Sequence, residues 1–265
     1  MDFGLANKVA IVTGGSSGIG RAAAHRLAME GAGVVIVARN PDVLRTAAED
    51  IQANAQGRVL PIQSDVSEAA SADRIVKATL DRFGRIDILV NNAGTSMAKP
   101  FDAVSDGDWE ADFNLKVWAA VRLIRAVIPE MRRVGGGKII NVTAIVGRTP
   151  GPRTMPTSIA RAAGIALTKA LSKDLAKDNI LVNTVCIGFI KSGQHERRYA
   201  PQRTANPSLT LEECYAEEAR ARGVPLGRVG ESHEAGDVIA FLASDRASYL
   251  TGVAINIDGG TSAVV

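Results

Sequence analysis

Lys8-Val9-Ala10-Ile11-Val12 runs directly into Thr13-Gly14-Gly15-Ser16-Ser17-Gly18-Ile19-Gly20, and a helix-period stretch follows to Glu30. The apolar run has the length and β-branched content of a buried strand. Glycines at 14, 18 and 20 allow a tight turn and a close backbone approach, and the next helix offers free N–H groups and the positive end of its dipole to an anion. Strand, glycine turn and helix in that order form a dinucleotide-binding fingerprint, with the pyrophosphate at the helix N-terminus.

The pattern repeats outward from this point. Val- and Ile-rich runs occur at Lys8 to Val12, Gly33 to Val37, Arg58 to Ile62, Asp87 to Val90, Lys138 to Val142, Ile180 to Val185 and Val253 to Ile257. Several are apolar at consecutive positions, as expected when helices cover both faces of a parallel sheet. Between them lie helical stretches at Gly18 to Glu30, Pro41 to Ala55, Ser67 to Phe83, Trp109 to Arg133, Thr154 to Lys177 and Glu231 to Leu242. The expected fold class is α/β, a doubly wound (Rossmann-type) parallel seven-stranded sheet with helices on both faces, in a single domain over residues 1–265. Residues 191–230, between the last two strands, are long enough for a substrate lid. Within it, Thr210-Leu211-Glu212-Glu213 reads as a capping box that opens a helix through Arg222, with Leu211, Cys214, Tyr215 and Ala219 on one face.

Composition narrows the function. The chain has 265 residues, a formal charge of +3 and 2 cysteines. The charge is spread without a basic stripe, which argues against nucleic acid. The start has no signal-like pattern and no apolar run reaches membrane-spanning length, so neither export nor a membrane role is expected. Cys186 and Cys214 stand far apart without metal-ligand spacing, consistent with a reducing cytoplasm, buried thiols and no metal. The second strand closes on Val37-Ala38-Arg39-Asn40. Arg39 stands where an NAD site usually carries a carboxylate, and a guanidinium there can pair with a 2′-phosphate, so NADP(H) is expected over NAD(H).

The sequence resembles the short-chain dehydrogenase/reductase superfamily over almost its whole length. The resemblance rests on Thr13 to Gly20, Asp65-Val66, Asn91-Asn92-Ala93-Gly94, and Leu250-Thr251-Gly252 through Asp258-Gly259-Gly260. It implies that Gly14, Ser16, Ser17, Gly18 and Ile19 surround the cofactor phosphates. Asp65 and Val66 would hold the adenine, Asn92, Ala93 and Gly94 would pass the adenosine ribose, and Ile190 and Ser192 would meet the nicotinamide amide. The usual Pro-Gly before that last loop is Ile187-Gly188, and the usual Thr is Ser192.

Family members that reduce carbonyls use an Asn, a Ser, a Tyr and a Lys four residues after the Tyr. Asn114 matches the Asn, implying a bound relay water. The other three positions hold Ala144, Thr157 and Arg161. Thr157 is too weak an acid to replace a phenol by dissociating and is expected to orient substrate or relay a proton. Arg161 keeps a charge for the cofactor ribose but cannot titrate. None of Tyr199, Tyr215 and Tyr249 has Lys four residues on. Halohydrin dehalogenases also carry Arg for Lys, but they keep Ser and Tyr and lose the glycine loop, the reverse of this chain. The pattern resembles a divergent branch lacking Ser-Tyr-Lys, whose members are labelled 3-oxoacyl-type reductases.

Arg148 and Arg153 after the fifth strand, with Lys191, His195, Arg197 and Arg198 opening the lid, suggest an anionic small-molecule substrate. His195 has the intrinsic pKa best placed for proton transfer at neutral pH. The leading expectation is an oxidoreductase acting on a carbonyl or alcohol. A catalytically inactive NADP-binding sensor or partner subunit, and a non-redox lyase or hydrolase, stay open at this point. The resemblance also implies a homotetramer assembled through the two long helices at Trp109 to Arg133 and Thr154 to Lys177.

Overall fold

The computed structural model describes residues 2–264, the side chain of Gln194 excepted. Strands β1 (Val9–Thr13), β2 (Gly33–Ala38), β3 (Val59–Gln63), β4 (Ile88–Asn91), β5 (Gly137–Ala144), β6 (Ile180–Ile187) and β7 (Ala254–Ile257) form one sheet in the order β3-β2-β1-β4-β5-β6-β7. Every pairing is parallel, in registers such as Ile11 with Val35 and with Leu89. The expected seven-stranded doubly wound sheet is therefore the observed one. The strand order reverses between β1 and β4, which opens a crevice at their carboxyl ends where ligands of such sheets bind.

Alternation along the strands sends side chains into two cores. Ala10, Val12, Val34, Ile36, Ile88, Val90 and Ile140 face helices α1 (Gly18–Met29), α2 (Pro41–Ala53) and α9 (Ser232–Ala243). Ile11, Val35, Val37, Leu89 and Ile139 face α3 (Ser71–Phe83) and α5 (Ala119–Arg133). Both faces are dry, so the strands read as continuous apolar runs.

Three departures from the sequence expectation bear on the site. The helix expected from Ser67 begins at Ser71, because Asp65 Oδ1 takes the Ser67 amide at 2.9 Å and its hydroxyl at 2.7 Å, folding residues 65–67 into a turn. The helix expected over Trp109 to Arg133 starts earlier, as α4 (Asp106–Phe113), with Ser105 and Asp108 forming a capping box. It then reaches α5 through one π-helical turn at Asn114–Trp118, in which the Ala119 amide donates to the Asn114 carbonyl. The helix expected from Thr154 begins as α6 at Thr157 and ends at Asp174.

The segment 191–230 carries two helices, α7 (Gly193–Ala205) and α8 (Leu211–Ala221). The second follows the expected Thr210–Glu213 capping box. The first was not legible: it is polar on all sides, holds Pro201, and buries only Tyr199 among the residues whose burial is described. Tyr199, Cys214, Tyr215, Ala219, Val224 and Val229 form a third, separate core inside this segment. Cys186 and Cys214 are both buried free thiols. No helix among the described residues is long and apolar enough to cross a membrane.

Candidate active site

The loops after β1 and β4 are stitched into one floor. Thr13 Oγ1 accepts the amides of Asn92 at 2.9 Å and Ala93 at 3.0 Å and donates to the Val90 carbonyl at 3.3 Å. The Asn92 side-chain amide donates to the Thr13 carbonyl at 2.9 Å and the Gly14 carbonyl at 3.3 Å. Asn92 thus holds the glycine turn itself, while its neighbours Ala93 and Gly94 continue into the crevice. Gly14 has φ +65° and Gly18 φ +52°. A Cβ on Gly20 would lie 2.3 Å from the Gly14 carbonyl oxygen and 2.4 Å from Asn92 Nδ2, so only glycine permits the turn. The Ser17 side chain does not cap α1, which leaves the first N–H groups of the helix for an anion.

Arg39 leaves the end of β2 with its side chain three-quarters exposed, 3.8 Å from Asp65 Oδ2. An exposed pair at that distance is weak, so the guanidinium is available to a phosphate. Burial alone would raise the Asp65 carboxyl, but the two bonds from Ser67 and the charge of Arg39 outweigh it and hold the group below its ordinary range. Val66 is buried beside it. On the opposite side of the crevice, Gly18 approaches Ser192, whose Cβ lies 3.8 Å from the position of a Gly18 Cβ. Ser192 Oγ is 3.2 Å from His195 Nδ1, and Ile190 is buried next to it. These groups fit a dinucleotide: a glycine cradle that a Cβ would fill, a helix N-terminus, an available guanidinium, and paired loops for the two ends.

At the end of β5, Ala144 supplies no hydroxyl. Thr157, the first residue of α6, is buried, and its Oγ1 receives two donors: the Met97 amide at 3.0 Å and the Lys116 ammonium at 3.1 Å. Lys116 extends from the π turn and is bonded to Asp112, one turn earlier on α4, with both side chains sealed from solvent. Burial pushes Lys116 down to about 8; Asp112 pulls upward and the nearby Arg161 charge downward. Arg161 lies one turn after Thr157, its Nη1 donates to the Val142 carbonyl at 2.7 Å, and Nη2 is 2.8 Å from where a Gly94 Cβ would be. Glycine at 94 therefore makes room for the guanidinium. Burial lowers the Arg161 pKa, opposed by Asp112.

Asn114 stands at the start of the π turn. Its Nδ2 donates to the Ser67 carbonyl at 3.0 Å and its Oδ1 accepts Arg122 Nη1 at 2.8 Å, while its carbonyl takes the Ala119 amide. Asn114 therefore braces the Asp65–Ser67 turn against the π segment. Sequence reasoning stopped at Asn114 and passed over Lys116, two residues on. The available signal was the Asp112–Lys116 spacing, the favourable i,i+4 order on a helix.

Of the cations expected to attract an anion, Lys191 and Arg198 are paired with carboxylates of the chain. Lys191 bonds Glu212 and Glu231, each at 2.8 Å. Arg198 and Arg222 share Glu218. Arg148 turns away to β7, 2.9 Å from Asn256 Oδ1, and Arg153 is exposed. Burial lowers His195, reinforced by Arg222 and Arg198, and its ring packs at a tilt against Phe189, 4.5 Å between centroids. The phenols of Tyr199 and Tyr215 pack edge-on in the third core, burial pushing Tyr199 up to about 12, and Tyr249 is fully exposed.

The short chain dehydrogenase model matches residues 8–203. The chain belongs to the short-chain dehydrogenase/reductase family. It is 36% identical over 259 residues to the 3-oxoacyl-(acyl-carrier-protein) reductase FabG of Thermotoga maritima, covering 97% of this chain and 98% of that one. The structure of L-sorbose reductase from Gluconobacter frateurii, complexed with NADPH and L-sorbose, superposes with a TM-score of 0.95 at 35% identity over 100% of both chains. An NADPH-bound short chain oxidoreductase from Pseudomonas aeruginosa PAO1, described as containing an atypical catalytic center, superposes with a TM-score of 0.92 at 32% identity, covering 99% of this chain and 100% of that one.

Proposed function

We propose that this oxidoreductase uses NADP(H) to interconvert a small uncharged carbonyl compound and its alcohol, with Lys116 and Thr157 replacing the family's phenol as the proton source. NADP(H), when bound, supplies or accepts the hydride. The loop Gly14, Ser16, Ser17, Gly18 and Ile19 takes the pyrophosphate, Arg39 the 2′-phosphate, Asp65 and Val66 the adenine, and Ala93 and Gly94 the adenosine ribose. Ile190 and Ser192 take the nicotinamide amide, and Arg161 the neighbouring ribose. The NADPH complexes of two family members at 35% and 32% identity support this assignment.

The observation that carries the reading is the 3.1 Å bond from Lys116 to Thr157 Oγ1. With Met97 and Lys116 both donating to that oxygen, the Thr157 proton is left to donate outward, to the substrate oxygen. In reduction, hydride reaches the carbonyl carbon while the Thr157 proton passes to the oxygen and the Lys116 proton replaces it, leaving an alcohol and a neutral lysine that reprotonates. Threonine never has to exist as an alkoxide, because the ammonium behind it is the acid. A lysine near 8 is matched to proton transfer at neutral pH in a way that a free lysine or an arginine is not.

The pairing of Lys191 with Glu212 and Glu231 and of Arg198 with Glu218 supports an uncharged substrate over the anionic one expected from sequence, and the L-sorbose complex of a relative points to hydroxyketones. Residues 191–230 would close over it. Half-exposed Trp118 and partly exposed Ile159, next to α5 and on α6, support tetramer formation through those helices, which light scattering would measure.

The test is NADPH binding followed by NADPH oxidation against a panel of keto sugars, diketones and 3-oxoacyl thioesters. Turnover with an uncharged hydroxyketone supports the reading. Tight binding without turnover would favour a cofactor sensor, and chemistry without a change in nicotinamide absorbance would favour a non-redox enzyme.

A further inference from the structure

Lys116 has one negative neighbour and one positive. Asp112 reaches it from α4, and Arg161 faces it from α6. The Asp112 side chain is fully inaccessible; Oδ1 bonds the ammonium, and Oδ2 has no partner among the described residues. A carboxylate placed so expensively has little value as general structural glue, since buried pairs often contribute nothing net to stability. Its geometry serves one atom. The i,i+4 spacing puts Asp112 under Lys116, and the π turn at Asn114–Trp118 adds the extra residue that swings the lysine toward α6 and Thr157.

We propose that Asp112 is the positioning residue of the proton relay: its buried carboxylate keeps the proton on Lys116 and holds the ammonium against the Thr157 hydroxyl. Without that charge, burial and the repulsion of Arg161 both act in one direction, releasing the proton. The lysine would then lose its proton at lower pH and recharge Thr157 less well. This inference rests on the relay reading for its catalytic meaning, whereas the coupling between the two side chains is measurable without any substrate.

The experiment is an NMR titration of the Lys116 ammonium, followed at ¹³Cε and assigned with Lys116→Arg, in the wild-type protein and in Asp112→Asn. The expected midpoint is about 8 in the wild type and lower by about one pH unit or more in Asp112→Asn, so that the protonated fraction at pH 8 falls from about one half to about one tenth or less, at least about a fivefold loss. An unchanged midpoint would overturn the proposal. Should Asp112→Asn not fold, the Asp112 ¹³Cγ signal in the wild type decides: it moves with the Lys116 midpoint if the two are coupled, and a flat signal there overturns the proposal. The relay reading fails separately, if Lys116→Met reduces carbonyls at the wild-type rate while the coupling persists.

Discussion

The two ends of the crevice are built from different materials. The cofactor end is mostly backbone: a turn that requires glycine at 14 and 20, amides presented by α1, and a floor in which Thr13 and Asn92 tie β1 to β4. The catalytic end is side chain on side chain, with Asp112, Lys116, Thr157 and Arg161 converging from α4, a π turn and α6. Backbone sites restrict residue type at adjacent positions, so they resist change and can be recognised locally. A proton relay needs only a hydroxyl at one point and an acid behind it, and the acid can enter from a different helix.

Substitutions at the two ends should therefore fail in different ways. The largest effect belongs to Thr157→Val, which keeps the shape of the side chain and removes the relay oxygen: the reduction rate should drop by about 10²- to 10⁴-fold, as for a lost general acid. NADPH affinity, measured by fluorescence, should stay near wild type; a parallel loss of affinity would erase the distinction between the ends. Arg39→Ala makes the opposite change, losing a charge-assisted contact of about 1.5–3 kcal/mol, so NADPH should weaken by about ten- to 150-fold while NADH is nearly unaffected. Equal losses for both nucleotides would contradict the placement of Arg39 at the 2′-phosphate. Gly20→Ala forces a methyl onto the Gly14 carbonyl and should lower unfolding stability by about 1–3 kcal/mol, the usual cost of overpacking, with NADPH affinity falling alongside. The smallest effect is expected at Tyr199→Phe. Its buried hydroxyl has no partner among the described residues, so removal should change the melting temperature little or raise it, with turnover intact.

How much was legible follows the same division. Strand runs, the glycine turn and the capping box at Thr210 could be read because each depends on a local rule of period, turn or cap. Lys116 was hidden for a physical reason: along the sequence its pairing with Asp112 looks like an ordinary exposed i,i+4 ion pair, and only the packing of α6 over the π turn buries it against Thr157. Asn114 shows the converse. Its sequence match to the family Asn is good, while the bonds of its side chain to Ser67 and Arg122 depend on packing and could not be read. Helix α7 lacked any apolar stripe to read, and the ion pairs of Lys191 and Arg198 were hidden because their partners, Glu212, Glu218 and Glu231, lie far along the chain from them.

The central claim is that the proton comes from Lys116 through Thr157, and the most direct test is the pH dependence of NADPH-coupled carbonyl reduction by the wild type and by Lys116→Met. The acid form is the active one in reduction, so the wild-type rate should fall as pH rises through about 8. Lys116→Met should be slower by about 10²- to 10⁴-fold, without that descending limb and with NADPH affinity unchanged. A Lys116→Met enzyme that keeps both the wild-type rate and its pH profile would contradict the account.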